Sequence, residues 1–169
     1  MVFFVPMLLL STLPAAPAWL VAYQHHELLL SRGLSLLGVW ALLNLTYSGY
    51  ELPRTDRRAW HHHFHLMNCG WGFVNAILAA VGILRTHPGR PPVSFSPGAA
   101  LTDAHFTGQV FLLNAALDVG YLLVAAWLLH RATNPDAKRP ERLQGYGRSV
   151  QLQGLFLLLF DASMYLVLK

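Results

Sequence analysis

Two acidic residues, Asp118 and Asp161, lie inside long apolar stretches of this sequence. An ionisable group at membrane depth costs at least about 2.5 kcal/mol, normally faces the protein interior, and often lines a proton or ligand pathway. The apolar stretches contain no Lys or Arg that could neutralise the two acids. We therefore expect each acid to be protonated or hydrogen-bonded to uncharged donors.

Uncharged hydrogen-bonding residues share helix faces with both acids. Asn114 lies one turn before Asp118, with Tyr121 beside them, and Tyr165 lies one turn after Asp161. A preceding apolar stretch carries its polar and small residues at alternating spacings of three and four, which places them on one face. That face consists of His61, His65, Asn68, Gly72, Asn75, Ala79 and Gly82.

If successive apolar helices run antiparallel, their polar residues are predicted to fall into two layers. One layer holds Asn75, Asn114 and Asp161, and the other holds Asn44, Asn68 and Asp118, with the indole N–H groups of Trp40 and Trp71 nearby. The layers have two interpretations: hydrogen bonds that fix helix register, or a proton or ligand site. The candidate residues for this buried network or ligand site are Asn44, His65, Asn68, Trp71, Asn75, Asn114, Asp118, Tyr121, Asp161 and Tyr165.

A histidine cluster spans residues 61–65. Imidazole is a ligand for Zn, Cu and haem iron, and His61 and His65 are one turn apart. No Cys or carboxylate shares their face, and a bis-His haem would need a partner at the same depth. His130 lies on the same side but at the membrane edge, and His105 lies on the other side. The sequence therefore predicts no metal site and leaves any cofactor unknown.

The composition is that of a membrane protein. Of 169 residues, 54% are hydrophobic and 12% are charged, about half the charged share of a soluble domain. The net charge of +4 does not indicate nucleic-acid binding, because the basic residues lie at the ends of apolar runs and form no stripe. The single Cys69 excludes an internal disulfide framework.

Four apolar runs predict an all-α, polytopic membrane protein: an antiparallel bundle of four transmembrane helices. The runs are residues 33–50, 64–84, 104–129 and 149–168, each long enough for a hydrocarbon core of about 30 Å. The first helix should begin before residue 33, because no helix breaker separates it from Tyr23. Pro53, Pro88 and Pro135 mark the three connections.

The basic residues predict the orientation of the bundle, because cytoplasmic loops carry an excess of Lys and Arg. Eight of the twelve Lys and Arg lie in the first and third connections, which should therefore face the cytoplasm of a bacterial inner membrane, with the mature termini outward. The eight are Arg54, Arg57, Arg58, Arg131, Lys138, Arg139, Arg142 and Arg148.

The first eighteen residues resemble a signal peptide. They combine a short apolar run, a helix-breaking Pro6 and the small-residue sequence Ala16-Pro17-Ala18. Cleavage would give a mature domain of residues 19–169. An uncleaved segment at the membrane interface is the alternative, because about twelve apolar residues are too few to span.

Four ordered motifs resemble a bacterial family of small membrane proteins catalogued as a domain of unknown function. The motifs are GVWALLN, FHLMNCGWGFVN, LLNAALDVGYL and RLQGYGRSVQLQGLFLLLFDASMYL. The resemblance covers about residues 23–168 and implies a leader followed by four hydrophobic helices, with no established activity. The family's recurrent positions correspond to Trp40, Asn44, His65, Asn68, Asn75, Asn114, Asp118, Tyr121, Gly145, Gly147, Gln153, Asp161 and Tyr165.

Two functional hypotheses follow from the sequence. The first is a non-enzymatic structural or accessory subunit of a membrane complex, whose partners are the lipid bilayer and other membrane-protein subunits. The alternative is a protein that handles protons or a small ligand, including a redox subunit that binds haem or quinone. No nucleophile with its base, phosphate-binding Gly loop or nucleotide motif is present to indicate an enzyme.

Overall fold

The computed structural model describes residues 16–89 and 95–169. Helices are the only regular elements in this part of the chain. Helix α1 spans Ala18–Glu51, α2 spans Trp60–Arg85, α3 spans Pro97–Ala132 and α4 spans Pro140–Leu168. A short 3-10 turn, Leu52–Arg54, follows α1. Most of the proposed leader, residues 1–15, lies outside the described residues.

Proline and an N-cap residue define where the later helices begin. Pro97 and Pro140 are the first residues of α3 and α4, a position where the missing N–H costs nothing because it has no partner within the helix. The Ser96 hydroxyl oxygen accepts a hydrogen bond from the Ala99 N–H at 3.2 Å and caps α3. These signals explain why α3 and α4 begin well before the apolar runs that predicted them.

All four helices are long and apolar enough to cross a membrane. Their outward faces carry large apolar side chains with high exposure, such as Leu84, Leu159 and Leu166. A soluble protein does not leave so much contiguous apolar surface in water. The fold is therefore compatible with direct contact between these faces and the lipid bilayer.

Helix α4 is the centre of the bundle, and α3 is peripheral. Eleven residues of α4 are buried, whereas α3 buries only three. Helix α4 packs against both α3 and α2, and α2 also packs against α1. Nowhere along residues 60–85 and 97–132 do Cα atoms of α2 and α3 come within 8 Å of each other. A gap therefore separates α2 from α3.

The N-terminal part of α1 is hydrogen-bonded to the connection between α2 and α3. The buried Glu27 carboxylate accepts a hydrogen bond from the His87 N–H at 2.6 Å. The Gln24 side chain donates to the Gly89 carbonyl oxygen at 3.3 Å. These contacts stabilise the turns of α1 that precede the apolar run of residues 33–50. No sequence pattern indicated the role of Glu27.

Gly72 lets α1 and α2 pack closely. A Cβ atom at this position would lie 3.1 Å from the Ala41 carbonyl oxygen and 2.9 Å from Leu45 Cγ. We expect Gly72→Ala to lower the free energy of unfolding by about 1–2 kcal/mol, because this interface has no room for a methyl group. Gly70→Ala is the matched control, since nothing lies within 4 Å of its Cβ. Equal thermal unfolding midpoints for the two variants in detergent would contradict the close packing.

Candidate functional site

Asp118 and Asp161 form a buried carboxyl pair between α3 and α4. Their exposed fractions are 2% and 5%, and the two carboxyl groups lie side by side. Gly154 allows the two helices to approach here, because its Cβ position lies 3.2 Å from a Leu122 methyl carbon. A hydrogen bond between two carboxyl groups requires a proton on at least one of them. The apolar spans contain no Lys or Arg to neutralise the two acids, so we expect the pair to carry at least one proton.

The carboxyl pair lines a cavity of about 290 Å³ inside the bundle. All four helices contribute to its wall, which is mostly apolar. Six of the ten predicted site residues meet there, brought together from α2, α3 and α4. They are Trp71, Asn75, Asn114, Asp118, Tyr121 and Asp161.

The cavity opens to the outside of the bundle between α2 and α3. Its wall includes Val74 from α2 and Leu117 from α3, whose side chains are also exposed on the outside of the bundle. The rings of Trp71 and Tyr121 meet edge to face with centroids 5.1 Å apart. This aromatic pair crosses the gap between α2 and α3, one helical turn from Asn75 and Asp118. It lies on the side of the start of α2 and the end of α3, where the basic connections are.

Two buried polar atoms at the cavity lack hydrogen-bond partners among the described residues. They are the amide nitrogen Nδ2 of Asn75 and the carboxyl oxygen Oδ2 of Asp118. Buried polar groups are normally paired with protein or water. Neighbouring atoms cover both of these polar atoms, so a ligand in the cavity reaches them only if the side chains around them move.

A separate polar cluster surrounds Gln153, whose side chain is 0% exposed. Its amide oxygen accepts a hydrogen bond from the Trp40 indole N–H at 2.9 Å. Its amide nitrogen donates to Asn44 Oδ1 at 2.8 Å and to Asn68 Oδ1 at 3.1 Å. The Ser149 hydroxyl also donates to Asn68 Oδ1 at 2.6 Å. Both polar ends of Gln153 are therefore paired, and this cluster joins α1, α2 and α4.

A family model described as a family of unknown function (DUF6992) matches residues 36–162, well over half of the chain. The chain belongs to this family. No curated protein and no solved structure matches this chain. The DUF6992 segment contains every candidate site residue except Tyr165. Membership confirms the expected family of unknown function and leaves the activity to be inferred from the site.

The predicted layering of this DUF6992 protein is wrong for Asp118. It was expected beside Asn44 and Asn68, but those residues bond to Gln153, and Asp118 pairs with Asp161. The physical reason is that α3 packs on α4 and is separated from α2. Gln153 was absent from the candidate residues, although its place among the family's recurrent positions was a usable signal.

Two other candidates lie away from the cavity. His65 is buried with its Nδ1 3.2 Å from the Ser48 hydroxyl. Tyr165 packs near the chain end, with the Lys169 ammonium 5.7 Å from its ring centroid. Within residues 16–89 and 95–169, no three His, Cys, Asp or Glu side chains are grouped as metal ligands.

Proposed function

We propose that this protein is a non-enzymatic membrane protein that binds a small uncharged ligand from the lipid phase. The observation that carries the proposal is the cavity beside Asp118 and Asp161, in which two buried polar atoms have no partner among the described residues. Ligand sites are typically apolar cavities with a few polar groups that orient the ligand. This arrangement favours the ligand-handling hypothesis over a purely structural role for the two acids.

The cavity size limits the ligand. Its volume of about 290 Å³ is at the lower end of the roughly 300–1,000 Å³ of small-molecule sites, and a cavity of about 150 Å³ already holds benzene. One ring or a short chain therefore fits inside. A longer apolar tail would leave between α2 and α3 into the lipid.

The free polar atoms define the ligand's chemistry. The Asn75 amide nitrogen donates, and the Asp118 carboxyl oxygen accepts when ionised and donates when protonated. A hydroxyl group satisfies both, because it donates one hydrogen bond and accepts others. An anion is disfavoured by the two acids, which have no cation within the apolar spans. The ligand class is therefore an apolar alcohol, a phenol or the head group of a quinol.

Asp118→Asn tests this role directly. The amide keeps the size of the carboxyl group and can still donate to Asp161, so we expect a change of at most about 1 kcal/mol in stability, in line with interhelical hydrogen bonds in membranes. Binding of p-cresol, a phenol that fits the cavity, should weaken about tenfold, which corresponds to one hydrogen bond to a charged group. Thermal unfolding midpoints with increasing p-cresol measure both effects.

Asp103→Asn is the matched control, because Asp103 lies on α3 and is exposed outside the cavity. It should leave p-cresol binding unchanged. If Asp118→Asn fails to accumulate while Asp103→Asn accumulates normally, the acid fixes helix packing and the ligand-binding role is contradicted.

A structural or accessory subunit is the second candidate function. It is favoured by the outer face of α3, where Phe106 and Trp127 are exposed, since aromatic side chains are enriched at protein interfaces. Purification in mild detergent distinguishes the two. A stoichiometric partner that is lost on Trp127→Ala, but retained on Leu123→Ala, would favour the accessory role.

A further inference from the structure

A second cavity lies at the end of the bundle that carries the basic connections. It has a volume of about 640 Å³ and is formed where α1 ends and where α2 and α4 begin. We name it the basic-end cavity. Its polar lining residues are Thr55, Arg57, His62, His63, Arg142 and Tyr146.

The charges around this cavity favour an anion. Arg57 precedes α2 and Arg142 belongs to the first turn of α4, so two separate segments each contribute an arginine to the lining of one space. None of its described lining residues is acidic; Asp56, next to Arg57, accepts a hydrogen bond from the Arg58 N–H, and Glu141, next to Arg142, is not in the lining. Guanidinium groups bind phosphate oxygens with paired, charge-assisted hydrogen bonds.

His63 is a buried histidine in the wall of this cavity, 5% exposed. The Arg57 backbone lies next to its ring, but neither ring nitrogen forms a hydrogen bond of regular geometry within the part of the chain that the structure describes. Its ring stands edge to face against Tyr146, with centroids 5.6 Å apart. A buried imidazole in a cavity wall without a protein partner is unusual. A phosphate group in the cavity would bring oxygen acceptors to this wall.

The neighbouring side chains add hydrogen-bonding capacity. The Thr55 hydroxyl and His62 Nδ1 are 3.3 Å apart, which orients the His62 ring. Tyr146 contributes a phenolic hydroxyl to the lining. The Thr55 hydroxyl donates its own proton to the Leu52 carbonyl oxygen. Two arginines, two histidines and Tyr146 thus line one space, and their donors match the several acceptor oxygens of a phosphate.

We propose that the basic-end cavity binds a phosphate group. At the end of a transmembrane bundle, the source is either the head group of an anionic phospholipid or free phosphate from the adjoining aqueous phase. Both offer the same oxygen acceptors to Arg57 and Arg142. This proposal concerns a different site from the intramembrane cavity and does not depend on its ligand.

The test compares two doubly substituted full-length proteins with the same change in charge. Arg57→Gln/Arg142→Gln removes the two guanidinium groups of the cavity. Arg58→Gln/Arg131→Gln is the control, because both residues are exposed and lie outside the cavity lining. Arg54 and Arg148 are not used as controls, since they stack on the rings of Tyr50 and Trp60.

Thermal unfolding midpoints are measured in neutral detergent with three probes: phosphatidylglycerol, a diacylglycerol with the same acyl chains, and inorganic phosphate against chloride at equal ionic strength. We expect phosphate-bearing probes to stabilise the wild type and the control equally. The Arg57→Gln/Arg142→Gln protein should need at least about tenfold more of the same probe.

The probe that stabilises the protein identifies the source. Stabilisation by phosphatidylglycerol alone assigns a lipid head group, and stabilisation by inorganic phosphate assigns a free phosphate site. The proposal is overturned if the two double variants respond equally, which would indicate only general charge attraction. It is also overturned if neither phosphate-bearing probe stabilises the wild type more than diacylglycerol or chloride does.

Discussion

Gly145→Ala is expected to lower the free energy of unfolding by about 3 kcal/mol, the upper end of the usual cost of overpacking. Gly145 lies where α4 crosses the start of α2. A Cβ there would contact the Trp60 carbonyl oxygen and would lie 2.7 Å from His63 Cβ and 2.8 Å from the Phe64 nitrogen. Two of these three atoms belong to the backbone of α2. The helix itself must move, because no rotation of a side chain relieves the contact.

Gly120→Ala is the matched control for Gly145→Ala. Gly120 lies on α3 with nothing within 4 Å of its Cβ position. Alanine is the better helix former by about 1 kcal/mol, so this variant should be as stable as the wild type or slightly more stable. Chemical unfolding in mixed micelles measures the difference. Similar unfolding curves for the two variants would mean that α2 and α4 do not cross closely at Gly145.

Gln153→Leu is expected to cost about 2–4 kcal/mol, since removing one partner from a buried hydrogen-bonded group costs about 1–3 kcal/mol per group. The substitution leaves the Trp40 indole N–H and the Asn44 amide oxygen without their partner. Asn68 keeps its hydrogen bond from Ser149. Because Gln153 joins three helices at once, the loss should appear as reduced thermal stability and reduced accumulation.

Gln151→Leu controls for the change from amide to alkyl on the same helix, because Gln151 is exposed. It should leave stability nearly unchanged. Trp40→Phe combined with Gln153→Leu provides a further check. The two effects should be less than additive, because each substitution removes the same hydrogen bond. Full additivity would contradict the Trp40–Gln153 bond.

The helices could be predicted from the sequence because each follows from a local property. Uninterrupted apolar runs and the prolines between them indicated four helices, and the structure has four among its described residues. Their limits were predicted less well. Polar turns such as the one that contains Glu27 continue α1 outside the apolar run, and contacts of Glu27 with His87 and of Gln24 with Gly89 stabilise them there.

The site could be predicted only in part, because it depends on how the helices are arranged around the bundle. Spacing assigned Asn75, Asn114 and Asp161 to one layer, and all three residues line the cavity. It could not show that α4 lies between α2 and α3, which separates Asp118 from Asn68 and joins it to Asp161. The cavity exists because the backbones of α2 and α3 stay apart and only side chains such as Trp71 and Tyr121 meet across the gap. No local sequence pattern encodes that separation.

The polar residues of the bundle divide by whether their hydrogen bonds are complete. Gln153 is paired at both ends of its amide, which is what a group that fastens helices requires. Asn75 and Asp118, which line the cavity, each have a buried polar atom without a hydrogen-bond partner among the described residues. Side chains of the same type thus differ in whether their hydrogen bonds are complete.

The most direct test of the proposed ligand site compares p-cresol with p-xylene on the wild-type protein. The two molecules have nearly the same shape, but only p-cresol has a hydroxyl group for Asn75 and Asp118. A ligand that binds the folded state raises the thermal unfolding midpoint in a saturable way. We expect p-cresol to bind about tenfold or more tightly than p-xylene, as one charge-assisted hydrogen bond would give. Equal responses to the two molecules, or changes that never saturate, would contradict the proposal that this cavity binds a hydroxyl-bearing ligand.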